Sequence, residues 1–204
     1  MSWRQWIRTV EIEPALSAAN PSTLDAQVES LLRSGCKIFR LDVDEHGYRL
    51  LETLAPLVHH YGGVLDVRLG GEANVLEAIM RGADSVTVDT EVEDVAMASG
   101  IAREHGRQFG IVFPESEKPD WLPLEGGIDV VSVAVDDSTT SLLRVREIAT
   151  ALPDGVCLQV EGALSHETVG PFHASGASVL VVGRPIFERE DLPRTYRRLV
   201  QALA

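Results

Sequence analysis

Ile38-Phe39-Arg40-Leu41-Asp42-Val43 and Val64-Leu65-Asp66-Val67-Arg68-Leu69 are the stretches whose side-chain parity decides the fold. Successive side chains of a strand point to opposite faces. Phe39, Leu41 and Val43 therefore share one face and leave Ile38, Arg40 and Asp42, continued by Asp44, on the other. Leu65, Val67 and Leu69 likewise oppose Asp66 and Arg68. Three more stretches repeat the pattern: Ile12, Pro14 and Leu16 against Glu13 and Ala15, Val86 and Val88 against Thr87 and Asp89, and Leu158 and Val160 against Gln159 and Glu161. A parallel sheet covered by helices on both sides is apolar on both. A charged face shared by five strands instead predicts a sheet closed on itself with a polar mouth, a single-domain α/β (β/α)8 TIM barrel over residues 1–204.

The rest of the chain supplies the other parts. Aliphatic runs bounded by turn residues predict strands at Val10–Leu16, Lys37–Val43, Gly63–Leu69, Ser85–Val88, Gln108–Val112, Asp129–Val133, Val156–Val160 and Val179–Val182. Amphipathic stretches between them predict helices at Thr23–Ser34, Tyr48–Tyr61, Glu72–Arg81, Val92–His105, Thr139–Ala151, His166–Ser175 and Leu192–Ala204. Pro114–Leu124, with three prolines, reads as a loop in the fifth unit. Ser34-Gly35, Arg81-Gly82 and Ser175-Gly176 place glycine at a helix end that leads into a strand.

With 204 residues, 45% of them hydrophobic, the chain has enough apolar material for one buried core. Eighteen Lys and Arg against 31 Asp and Glu give a net charge of −13, which disfavours nucleic acid and anionic lipid as partners. No apolar run reaches membrane-spanning length and the opening residues lack a signal-peptide core, so the expected location is the cytoplasm. Cys36 and Cys157 have no CxxC or Cys/His cluster near them and read as buried thiols.

On the charged face, Glu13, Arg40, Asp42, Asp66, Arg68, Asp89 and Glu161 are expected to converge at the carboxyl ends of the strands. A self-neutralising network that merely fills the barrel would account for the arginines. Five acids against two arginines leave an excess of carboxylate, and at strand ends that points to a site. The candidate catalytic set is Asp42, Glu161, Arg40, Arg68 and Asp66.

These residues also carry a resemblance. Glu13-Pro14-Ala15-Leu16-Ser17, Ser34-Gly35-Cys36-Lys37-Ile38-Phe39-Arg40-Leu41-Asp42-Val43, Leu65-Asp66-Val67-Arg68-Leu69, Val160-Glu161-Gly162-Ala163-Leu164 and Gly176-Ala177-Ser178-Val179-Leu180-Val181-Val182-Gly183-Arg184-Pro185 resemble the ribulose-phosphate 3-epimerase family of the ribulose-phosphate-binding barrel group, nearly end to end. The resemblance implies a sugar-phosphate epimerase working through Asp42 and Glu161, with Asp42 as base and Glu161 as acid. The family's metal ligands, two histidines and two aspartates, fall on Arg40, Asp42, Arg68 and Glu161. Arginine cannot ligate a cation, so no metal and no cofactor are expected, and Arg40 and Arg68 become the groups that steady an enediolate. The loop after strand two is cut to Asp44-Glu45-His46-Gly47, and Ala15 stands at the first-strand serine. Asp66-x-Arg68 sits where the orotidine-phosphate decarboxylase and hexulose-phosphate synthase branches carry Asp-x-Lys, which makes a decarboxylase or aldolase the alternative. A non-catalytic sugar-phosphate-binding protein is the third reading.

The turns after strands seven and eight of a barrel commonly hold phosphate on backbone N–H groups. Gly162, Ala163, Gly183 and Arg184 occupy them and form the candidate phosphate site; pairing of Arg184 with Glu188 or Glu190 is the structural alternative. Among the histidines only His46 lies near the mouth, while His59, His60, His105, His166 and His173 read as surface or capping residues. The expected partner is a small phosphorylated sugar or phosphate ester. A homo-oligomer, a dimer, is expected to cover the shortened second loop.

Overall fold

The computed structural model of the protein describes residues 11–44, 47–70, 74–89, 94–113 and 127–203. Eight parallel strands follow one another around a nearly closed barrel: β1 (Glu11–Pro14), β2 (Ile38–Val43), β3 (Val64–Leu69), β4 (Ser85–Asp89), β5 (Gln108–Phe113), β6 (Val130–Val135), β7 (Cys157–Gly162) and β8 (Val179–Val182). Neighbours pair in sequence order from β2 to β8, and β8 pairs with β1. A bridge between Ala15 and Arg40 brings β1 back to β2.

Helices return the chain between strands: α1 (Leu24–Arg33), α2 (Tyr48–His60), α3 (Val75–Met80), α4 (Val95–Glu104), α5 (Thr139–Ala151), α6 (Val169–Ala174), α7 (Arg184–Phe187) and α8 (Leu192–Gln201). Their spacing explains their seating. In α1, Leu24, Val28, Leu31 and Leu32 form one buried stripe, with Asp25 in the first turn and Arg33 in the last to match the helix dipole. Two helices start later than expected from Glu72 and Val92 because a cap sets the start. Asn74 accepts a hydrogen bond from the Glu77 N–H at 3.1 Å, and Asp94 accepts one from the Met97 N–H at 2.8 Å. The first strand is shorter than Val10–Leu16: past Pro14 the chain turns into a 3-10 helix at Leu16–Ala18. Helix α7, directly after β8, has no counterpart among the helices expected from the sequence. The Pro114–Leu124 stretch lies outside the described residues.

One core fills the space between the strands' outer faces and the helices, with Phe39, Leu65, Val67, Phe109, Ile111, Leu158 and Leu180 all buried. A second, smaller apolar group, Ile38, Val130, Cys157 and Val179 with Val64 against it, comes from the inward-facing parity and floors the barrel. There Cys157 sits with its thiol pushed up to about 12 by burial. At the amino-terminal end, Asp84 ties three elements together. It accepts from the Leu65 N–H at 3.0 Å and from Arg107 at 2.7 Å, and His59 lies 2.7 Å from it. His59 is thus a structural partner rather than a surface residue alone.

Candidate functional site

Above the apolar floor the inward face turns polar, in two tiers. The lower is sealed. Glu13, Arg40, Asp66 and Gln159 are each at most 1% exposed. Gln159 is the hub: its amide NH2 donates to Glu13 at 2.7 Å and to Asp66 at 2.9 Å, and its carbonyl oxygen accepts from Arg40 Nη2 at 2.5 Å. Arg40 Nη1 lies 3.4 Å from Asp66. Burial, with the Asp66 charge added, pushes the Glu13 carboxyl well above its ordinary range, against the smaller pull of Arg40 and Gln159. Burial alone would lower Arg40, but the surrounding carboxylates outweigh it and hold the guanidinium charged.

This corrects the expectation that all seven charged residues meet at the mouth. Glu13 and Asp66 do not reach it. Parity assigns a residue to a face but not to a depth, and in register Arg40 pairs with Asp66 while Asp42 pairs with Arg68 one tier higher. Asp66, placed in the candidate catalytic set, lies with Arg40 in the sealed tier.

The upper tier opens into a cavity of about 1030 Å³ at the carboxyl ends of the strands, where Asp42, Arg68, Glu161 and Arg184 are among the walls and the edge of Arg40 shows from below. Arg68 reaches across the barrel from β3 to β7, donating from Nη1 to Glu161 Oε1, while its Nη2 meets Asp89 at 3.2 Å. Arg40 Nη2 approaches the other Glu161 oxygen at 3.5 Å. Both Glu161 oxygens therefore serve as acceptors for guanidinium N–H groups, a role that does not suit the acid assigned to it. Asp42 is exposed and forms no ion pair among the described residues. It is the uncommitted carboxylate of the mouth.

The rim beside β7 and β8 holds the candidate phosphate residues. Gly162 has φ of +126° and a Cβ there would collide with the Val135 carbonyl oxygen, so the turn requires glycine. The Ala163 N–H donates to that same Val135 carbonyl at 3.0 Å, and the Leu164 N–H to Gly162 at 2.8 Å. The Ala163 amide is therefore already engaged, which moves the weight of anion recognition to Gly183 and Arg184. Gly183 precedes the first residue of α7, packed 3.2 Å from Ala18 at its Cβ position. Arg184 is exposed and pairs with neither Glu188 nor Glu190.

The residues do not fit the metal that the resemblance implies. Two of its four ligand positions are arginines, and both turn toward Glu161, which occupies a third. Among the described residues no group of three His, Cys, Asp or Glu side chains is arranged to hold a metal ion. His46 lies outside the described residues. Gln159 is visible in the sequence only as part of the polar face; its signal is an amide on a face otherwise made of charges.

No family model matches the chain. In sequence it is similar to the ribulose-phosphate 3-epimerases of Escherichia coli strain K12 and of Shigella flexneri, 24% identical over 215 residues that cover 95% of this chain and 96% of each relative. In structure it is similar to KGPDC from Streptococcus mutans in its complex with a ribulose 5-phosphate-like sugar phosphate, with a TM-score of 0.79 at 15% identity over 95% of this chain and 97% of that one. The 3-hexulose-6-phosphate synthase from Salmonella typhimurium gives a TM-score of 0.77 at 19% identity, covering 95% and 98%. At these identities the structural likeness establishes the barrel. No described helix is long and apolar enough to cross a membrane.

Proposed function

We propose that the protein binds a small phosphorylated ketose in the mouth and moves a proton at the carbon beside its carbonyl, as a sugar-phosphate epimerase or isomerase. One observation carries the reading. A single cavity holds an uncommitted carboxylate, Asp42, next to the guanidinium groups of Arg68 and Arg40, with Arg184 unpaired on its rim. A phosphate on Arg184 and the Gly183 turn positions the sugar, since a planar guanidinium matches phosphate oxygens. Asp42 then takes the proton from the carbon. Arg68 and Arg40 stabilise the negative charge that develops on the carbonyl oxygen, the part played elsewhere by a Lewis acid. Glu161 holds both arginines in place, and where a second face of the carbon must be served it is the acceptor across the barrel. The sequence likeness to epimerases and the sugar phosphate bound to the structurally similar KGPDC both support a sugar phosphate as ligand.

The test is solvent deuterium exchange into ribulose 5-phosphate, followed by NMR. Wild type should exchange, and Asp42→Asn should lower the rate by about 100-fold or more, the usual worth of a positioned general base. Arg184→Ala should raise KM and leave most of kcat. Undiminished exchange in Asp42→Asn, or none in wild type with any pentulose or hexulose phosphate, removes the epimerase reading. Ligand-induced melting shifts without exchange would leave a binding protein.

A further inference from the structure

Just outside the rim made by the β7 and β8 turns lies a second hollow of about 420 Å³. Ser165 and His166 wall it after β7, Arg184 and Arg189 around α7, and Thr195 and Arg198 from one face of α8. Arg184 and Pro185 line both hollows, so the two adjoin along that edge. The local charge runs against the rest of the chain: residues 184–204 hold five arginines against Glu188, Glu190 and Asp191, in a protein of net charge −13.

Arg184, Arg189 and Arg198 form no ion pair among the described residues, although Glu167 and Glu188 line the same hollow. Glu167 instead accepts from the Ser165 hydroxyl at 2.7 Å. Three forked donors held clear of nearby carboxylates suit an anion with several oxygens. No Phe, Tyr or Trp among the described residues offers a stacking face there, so a nucleobase is not part of what it takes.

We infer that this hollow is an anion subsite continuous with the mouth, and that the ligand is a diphosphate ester of the sugar rather than a monophosphate. The inference rests on the reading of the mouth as a sugar-phosphate site. A group seated beyond Arg184 lies on the side of the first phosphate away from the sugar, so the second phosphoryl is joined to the first by an anhydride link.

Titration calorimetry on the full chain tests it with inorganic phosphate, inorganic pyrophosphate and ribulose 5-phosphate. Pyrophosphate should bind at least about tenfold tighter than phosphate, the worth of one further charge-assisted contact. The double variant Arg189→Ala/Arg198→Ala should bring pyrophosphate down to the affinity of phosphate and leave ribulose 5-phosphate within about twofold of wild type, one contact being the margin. Both side chains are exposed, so the melting temperature without ligand should hold and exclude misfolding. Pyrophosphate no tighter than phosphate, or a preference that survives in the double variant, overturns the subsite while ribulose 5-phosphate binding keeps the mouth reading. Absence of ribulose 5-phosphate binding overturns the mouth reading, and the ester with it, whatever pyrophosphate does.

Discussion

Two tiers of the same barrel, built from the same residue types on the same strands, behave as different materials. Arg40, Asp66 and Gln159 form the lower tier with Glu13; two residues further along those strands, Asp42, Arg68 and Glu161 form the upper one with Asp89. The step is about 6.6 Å at 3.3 Å per residue. Below, an amide closes the network on itself and water is excluded. Two acids share one arginine there, and the layer approaches neutrality because the Glu13 carboxyl is pushed up by burial and holds its proton. Above, three acids share one arginine in an open cavity, and one of those acids has no ion-pair partner among the described residues. The excess of carboxylate on the polar face thus separates into a filling and a site, and exposure to water decides which is which.

The sharpest way to break that comparison is to remove the one cation of the sealed tier. Arg40→Met leaves Asp66 charged and Gln159 without its donor, and the loss of one partner from a buried pair typically costs about 3–5 kcal/mol. Urea unfolding should show a drop of that size. A loss under about 1 kcal/mol, the range of exposed pairs, would mean that the lower tier is not dry.

Much of this architecture is legible in the sequence. Five strands with charges on alternate positions, and glycine at the helix-to-strand joints, lead to the barrel because closure is the arrangement that tolerates one polar face. The bounds of helix α5 agree at Thr139–Ala151, where Ser138 caps the start by accepting from the Ser141 N–H at 3.1 Å. Depth is not legible, because a two-residue period is blind to how far along the axis a strand is staggered; the period therefore puts Glu13 and Asp66 a tier too high. The Ala163 amide escapes a sequence reading for another reason: its partner, the Val135 carbonyl, comes from a neighbouring strand. Gln159 draws no notice as an uncharged amide until its two carboxylates and its arginine are seen around it.

A subtler test uses the proton on Glu13. Its folded value is raised, so the stability it contributes is complete below the ordinary value of 4.5 and is lost as pH rises toward the folded value. Glu13→Gln keeps the acceptor for Gln159 and cannot ionise. The variant should match wild type near pH 4 and become more stable above it, by on the order of 1 kcal/mol, the linkage of about one pKa unit. Melting curves from about pH 4 to 8 read this as a gap that opens with pH. A gap that opened in favour of wild type would place an ionised, stabilising carboxylate in the lower tier and undo the assignment of a neutral one.

The smallest effect on stability is expected from the most conspicuous salt bridge in the mouth. Arg68 spans the barrel to Glu161 and also meets Asp89, yet its side chain is 31% exposed and that of Asp89 is 49% exposed. Partly solvated pairs contribute roughly 0–1 kcal/mol, because water competes for the charges and ordering the long side chain costs entropy. When Arg68 is removed, Glu161 retains Arg40 at 3.5 Å and access to solvent, so no charge is stranded in a dry place. Arg68→Met should therefore change the unfolding free energy by less than about 1 kcal/mol, with little dependence on salt, while weakening ribulose 5-phosphate binding or turnover far more. The contrast with Arg40→Met is the measurement: two arginines on adjacent strands, one tier apart, with opposite consequences for stability and ligand. Equal destabilisation by the two variants would show that the tiers form one buried network, and the mouth would then be a continuation of the filling rather than a site.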